Sequence, residues 1–232
     1  MRRAGLLLLA LTGCANIFGL DSPQMRDDGG AGSDTGSDGP PVSDCHSDNF
    51  DDNALNPGLW AKFVEKMETV TETNQQLAIT LDNTTGSAYS GIDGVLPLAA
   101  DETGVQVEVV QWSGNDQSET ALVLVLNGPN QLIIGKDGNS LRQTVKTGGA
   151  DMTHMSPFDA SIRFLRIERR LSDTKVTFLS STDGTAWNLL FMTNASFADQ
   201  ALKPQLYAGH YQQVPATTVI FDNFVVLSPR CP

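Results

Sequence analysis

Across residues 163–194, short runs of alternating apolar and polar residues are separated by tight-turn signals, and no other feature restricts the fold as much. Taking Ser172-Asp173 as a turn sets Phe178 opposite Ile167 and Ser180 opposite Leu165. Taking Asp183-Gly184 as a two-residue hairpin turn, a pair that tolerates positive φ, sets Ser180 opposite Trp187, Phe178 opposite Leu189 and Val176 opposite Phe191. Both turns assign the same residues to one apolar face, which places Trp187 in the core. Arg166, Glu168, Thr177, Asn188 and Met192 fall on the other, mostly polar, face. The expectation is a three-strand meander with one side against a core.

Other segments extend this sheet logic. Val105, Val107 and Val109 alternate with Gln106 and Glu108, while residues 121–126 are apolar on both faces, as in a central strand covered on two sides. Lys136-Asp137-Gly138-Asn139 reads as a further hairpin between the runs 131–134 and 141–145, and residues 217–227 form a last strand. The nearest approach to an amphipathic helix is 59–68, whose β-branched surroundings speak against it. Many short strands joined by Gly and Asp turns mean an all-β sandwich or barrel. The 27 acidic residues outnumber 15 basic ones, for a net charge of −12, which excludes nucleic acid as a natural partner.

The N-terminus has a different character. Met1-Arg2-Arg3 precedes an apolar run over 4–11, far short of the roughly 20 residues of a spanning helix. Leu11-Thr12-Gly13-Cys14 resembles the lipobox of bacterial lipoproteins. The resemblance implies a signal peptide over 1–13 and a mature chain starting at Cys14, thioether-linked to diacylglycerol and N-acylated. Ala15 in second place implies outer-membrane delivery. The alternative is an ordinary secretory peptide with an incidental cysteine. If lipid takes Cys14, Cys45 and Cys231 remain, and export to an oxidising compartment favours a disulfide over two free thiols. Residues 14–44 are rich in Asp, Gly, Ser and Pro, with no large apolar residue over 27–41, so this stretch is expected to be a disordered tether. Residues 45–232 remain as one folded domain.

Three segments of that domain carry a further resemblance. Asp48-Asn49-Phe50-Asp51 with Leu55 and Trp60, the run from Leu165 to Arg169 continuing into 178–187, and Phe221-Asp222-Asn223-Phe224-Val225-Val226 are similar to segments of the concanavalin A-like lectin/glucanase superfamily. The resemblance implies a two-sheet antiparallel jelly roll with its first and last strands side by side, an arrangement that suits a Cys45–Cys231 bond. It also implies a structural Ca²⁺ held by Asp48 or Asp51 together with Asp222, against the plainer reading that Asp222 serves a turn.

Chemistry is harder to find. Glucanases of the superfamily place their acids in a Glu-x-Asp-x-x-Glu arrangement on one strand, which this chain lacks, and Glu168 is flanked by arginines. His46, His154 and His210 lack a partner motif for nucleophilic catalysis or zinc. The expected function is therefore a non-catalytic, membrane-anchored extracytoplasmic binding module for carbohydrate or another cell-surface polymer. The alternatives are a glycoside hydrolase or lyase with an unrecognised acid pair, and a structural envelope lipoprotein. Candidate ligand contacts are Glu108 and Trp112, which share strand parity, Arg166 and Glu168 on the non-core face, and His210 and Tyr211 before the last strand.

Overall fold

A computed structural model describes residues 46–83 and 85–229; Cys14, Cys45, Cys231, the signal peptide and the tether lie outside them. Fourteen strands form two seven-stranded antiparallel sheets. In spatial order the first comprises β1 (Trp60–Phe63), β4 (Ala88–Gly94), β13 (Lys203–His210), β6 (Ser118–Asn127), β7 (Asn130–Asp137), β8 (Ser140–Thr147) and β9 (Ala150–Pro157). The second comprises β12 (Asn188–Asn194), β11 (Lys175–Ser181), β10 (Phe164–Arg170), β5 (Gly104–Gln111), β14 (Thr217–Leu227), β3 (Gln76–Leu81) and β2 (Thr69–Thr73). Among the described residues there is no α-helix, and 59–68 holds β1 and a turn.

Period-two patterning explains the packing. Val105, Val107 and Val109 of β5, Leu165 and Ile167 of β10, Val176 and Phe178 of β11, and Leu122 and Leu124 of β6 all turn into one shared core and are fully buried. Each such side chain contributes about 1.5–3 kcal/mol on removal from water. Strand β6 is covered on both faces as expected, because Ala121 and Val123 form a second, smaller apolar cluster with Ile133 on the sheet's outer surface.

The β10–β11 register follows from the Ser172-Asp173 turn, with Ile167 opposite Phe178 and Leu165 opposite Ser180. The β11–β12 register does not follow from Asp183-Gly184. Phe178 faces Phe191 and Val176 faces Thr193, with a bulge between Phe178 and Leu179. Asp183 Oδ1 accepts from the amides of Thr185 (2.8 Å) and Ala186 (2.9 Å), so it organises a longer loop instead of a two-residue turn. These bonds hold its carboxyl well below the usual range. The extra loop residues leave Leu189 exposed and bring Trp187 out of the core to the second sheet's outer face, where the Arg166 guanidinium lies 3.7 Å from its ring centroid.

The opening motif is a structural corner. Asp48 accepts from Phe50 N (2.9 Å) and Trp60 Nε1 (2.8 Å), which turns Phe50 into the core at φ 52° and sets Trp60 edge-on to Phe224 at 4.9 Å. Asp48 also exchanges two 2.8 Å backbone bonds with Phe224, so the start of the described chain lies beside its last strand.

Beneath this corner the amide of Ala54 is shared by Asp52 Oδ1 (2.9 Å) and Glu72 Oε1 (3.1 Å). Burial, reinforced by the Asp52 carboxylate, pushes the Glu72 carboxyl up to about 7. The folded protein therefore holds this proton more tightly than the unfolded chain does. The associated stability is fully present below the ordinary carboxylate range and is lost as pH rises through about 7. Thermal unfolding is expected to show roughly 1–3 kcal/mol less stability at pH 8 than at pH 5, with most of that difference removed by Glu72→Gln.

Candidate functional site

The first sheet's outer face, opposite the core, collects aromatic, acidic, amide and guanidinium groups from six strands. Register fixes their arrangement. One row across the sheet reads Tyr89, Gly209, Glu119 and Asp137, and the next reads Phe63, Gly91, Tyr207, Ala121, Gly135 and Arg142. Small residues within the rows make room for large ones. A Cβ on Gly209 would lie 2.2 Å from Tyr89 Cδ1, so this glycine lets the Tyr89 ring lie against the sheet.

Arg142 ties the cluster together. Its Nη2 donates to Glu119 Oε1, and its Nη1 donates to Asp137 Oδ2 at 3.0 Å. The Tyr207 hydroxyl donates to Glu119 Oε1, and the Tyr211 hydroxyl donates to Asp137 Oδ1 at 2.5 Å and stands 3.2 Å from Glu119 Oε2. Burial raises the phenols of Tyr89, Tyr207 and Tyr211 above their ordinary value, and the Asp137 carboxylate raises Tyr211 further. They remain neutral donors at physiological pH. Tyr89 is packed edge-on against both other tyrosines, with centroids at 5.9 and 6.4 Å.

Beyond these rings the face becomes a groove. A hollow of about 210 Å³ is lined by Phe63, Tyr89, Gln131, Gln205 and Tyr207. It shares Gln205 with a hollow of about 480 Å³ that reaches Asp93, Val125 and Lys203. Gln205 Nε2 donates to Asp93 Oδ1 at 2.6 Å, while Ala121, Val123 and Ile133 on the same face are buried against Val125 and Tyr207. Aromatic edges and faces beside fixed amide and carboxylate groups suit a polyhydroxylated ligand with alternating CH and OH surfaces.

Of the ligand contacts expected from the sequence, Tyr211 belongs to this cluster and the others do not. His210 precedes it on β13 and therefore points the opposite way, into the interior. It is fully buried, with Nε2 3.2 Å from Glu68 Oε1 and Nδ1 2.7 Å from Gln212 O. Burial pushes the Glu68 carboxyl up. Glu108 lies on the second sheet, where Arg163 and Asn223 Nδ2 (2.8 Å) occupy its carboxylate. Trp112 does not share its face. Val109 pairs with Phe221 and Gln111 with Ile220, so Val110 is an extra residue and the bulge reverses strand parity beyond it. Trp112 consequently packs against the core margin, donating to Ile162 O at 2.8 Å and meeting Phe158 edge-on at 5.2 Å. Arg166 and Glu168 do lie on a non-core face, but on the second sheet, paired with each other at 3.1 Å.

The aspartates named for Ca²⁺ have other partners. Asp48 serves the corner, Asp51 accepts from Asn49 Nδ2 at 2.8 Å, and Asp222 accepts from Asn223 N at 2.7 Å and Gln76 Nε2 at 3.3 Å. Among the described residues no three His, Cys, Asp or Glu side chains form a group that could hold a metal ion.

No protein-family model matches the chain, and no curated protein matches it in sequence. Solved structures do. One, from work on endo-acting O-glycanases that initiate mucin breakdown in the human gut microbiota, is 13% identical over 78% of this chain and 98% of that one, with a TM-score of 0.60. A glycosyl hydrolase family protein from Mycobacterium fortuitum is 16% identical over 78% and 97%, at 0.58. A β-1,3-1,4-glucanase (lichenase) derived from a mouse hindgut metagenome is 12% identical over 79% and 98%, at 0.57. At such identities the likeness concerns the fold alone: the described domain is a two-sheet antiparallel jelly-roll sandwich, the architecture of these solved structures.

Proposed function

We propose that this protein is a non-catalytic glycan-binding module, held at the bacterial outer membrane by acylated Cys14 and presented on the 14–44 tether. The observation that supports this most is the first sheet's outer face, where a groove lined by Phe63, Tyr89, Tyr207, Gln131 and Gln205 adjoins the cluster of Tyr211, Glu119, Asp137 and Arg142. The solved structures of the same fold include glucanases and mucin O-glycanases, which favours a saccharide as ligand. The lipobox at Leu11 to Cys14 supports the anchor.

A second reading has its own observation. Glu119 and Asp137 are directly opposite one another on adjacent strands, as an acid pair flanking a glycosidic bond would be. Arg142 and the tyrosine hydroxyls occupy both carboxylates, however, and leave neither poised to protonate a leaving group. Electrophoresis of the full chain through gels containing neutral β-glucan or xyloglucan tests both readings. Retardation is expected, weakened about tenfold or more by Tyr211→Ala or Tyr89→Ala, since each ring accounts for about 1.4 kcal/mol or more at such a contact. No reducing ends should appear. Release of reducing ends that Glu119→Gln abolishes would replace the module with a hydrolase.

A further inference from the structure

The second sheet's outer face carries a different chemistry from the groove. Arg166 and Arg170 on β10 and Lys175 at the first position of β11 are three of the chain's 15 basic residues that lie on this face, and Arg169 between the two arginines turns inward. Arg170 and Lys175 are direct cross-strand partners, and like charges so placed oppose sheet pairing. Arg169 is almost fully buried, and its guanidinium donates to the carbonyls of Ala99, Glu102, Ala198 and Gln200, which fixes a positive charge beside the pair. Glu168 pairs with Arg166 at 3.1 Å and Asp173 pairs with Arg170 at 2.8 Å, while the Glu102 and Asp199 carboxylates act on the buried Arg169. On a chain of net charge −12 the outward face thus gathers three cations, Arg166, Arg170 and Lys175, around two carboxylates.

The charges border a hollow. Its volume is about 450 Å³, within the range of small-ligand sites, and its lining includes Arg169, Arg170, Lys175, Thr177, Glu168 and Met192. Gly104, opposite Glu168 in register, contributes no side chain to this face. Beside it Arg166 is held by Gln106 Oε1 (2.6 and 3.1 Å) and stacked on Trp187, which places an aromatic group next to the cations.

We infer that this hollow is a second binding site, which takes an acidic group carried on a saccharide, either a uronate carboxylate or a sulfate ester. Lys175 and Arg170 supply the charge, and the Thr177 hydroxyl and the Glu168 carboxylate supply hydrogen bonds to neighbouring hydroxyls. The site is on the opposite sheet from the groove and does not depend on it. A chain of mixed neutral and acidic character could engage both faces and gain by linkage.

Electrophoresis of the full chain through gels containing polygalacturonate, dextran sulfate or unmodified dextran tests the inference. Retardation by at least one acidic polymer and not by dextran is expected, falling as salt is raised. Polygalacturonate alone identifies the carboxylate, and dextran sulfate alone the sulfate. The double variant Arg170→Gln/Lys175→Gln should reduce affinity at least fivefold, and charge reversal by Lys175→Glu carries the same reading should the double variant unfold. Wild-type protein that passes both acidic gels unretarded overturns the inference, as does retardation unaffected by these variants. Failure of the groove is read separately, in the neutral β-glucan gel.

Discussion

Arg142→Ala is expected to be the most damaging single substitution in the groove, lowering stability by about 3 kcal/mol and abolishing glycan binding. The side chain of Glu119 is only 5% exposed and that of Asp137 20%, and both depend on this guanidinium. Its removal leaves two carboxylates directly opposite one another with only tyrosine hydroxyls as donors. Breaking a buried ion pair by removing one partner costs far more than the pair contributed, because a desolvated charge is left behind. For a domain of this size the loss corresponds to a fall in Tm of roughly 6–12 °C. Adding Glu119→Gln to Arg142→Ala should recover part of this stability without recovering binding. A melting temperature unchanged by Arg142→Ala would show that the cluster is a loose surface network.

The second large effect concerns location. Cys14→Ser is expected to move the protein from the membrane fraction to the soluble extracytoplasmic fraction. Each buried methylene of an acyl chain adds about 0.8 kcal/mol, so several chains on one residue make anchoring effectively permanent and their loss complete. Mass spectrometry of the native protein should find Cys14 as the first residue, carrying three acyl chains. An unmodified amino terminus, or a serine variant still in the membrane fraction, would remove the anchor from the account.

The fold was more legible in the sequence than the site, and particular residues show why. Alternation along β5 and β10 marks the core directly, because the period of a strand is fixed by its pleat. The Ser172-Asp173 turn gave a correct register, whereas Asp183-Gly184 did not, because the Asp183 carboxylate caps a longer loop. An Asp-Gly pair is compatible with both outcomes. A single bulged residue, Val110, moves Trp112 off the face that strand parity predicts, and parity carries no sign of a bulge. The outer-face cluster is not legible in the sequence because Tyr89, Glu119, Asp137, Arg142 and Tyr207 come from five strands and converge only through sheet order. Two local signals pointed towards it. Residues 121–126 are apolar on both faces although the sheet lies at the surface, and Gly135 and Gly209 interrupt strands where a packed side chain would be expected.

Hydrogen exchange of the full chain with and without a soluble neutral β-glucan oligosaccharide tests most directly which face binds. Added protection is predicted in β4, β13, β6 and β7, around Tyr89, Tyr207 and Glu119, with none in β10 to β12. Protection confined to β10 to β12, or none at saturating oligosaccharide, would contradict the assignment of the groove as the glycan site.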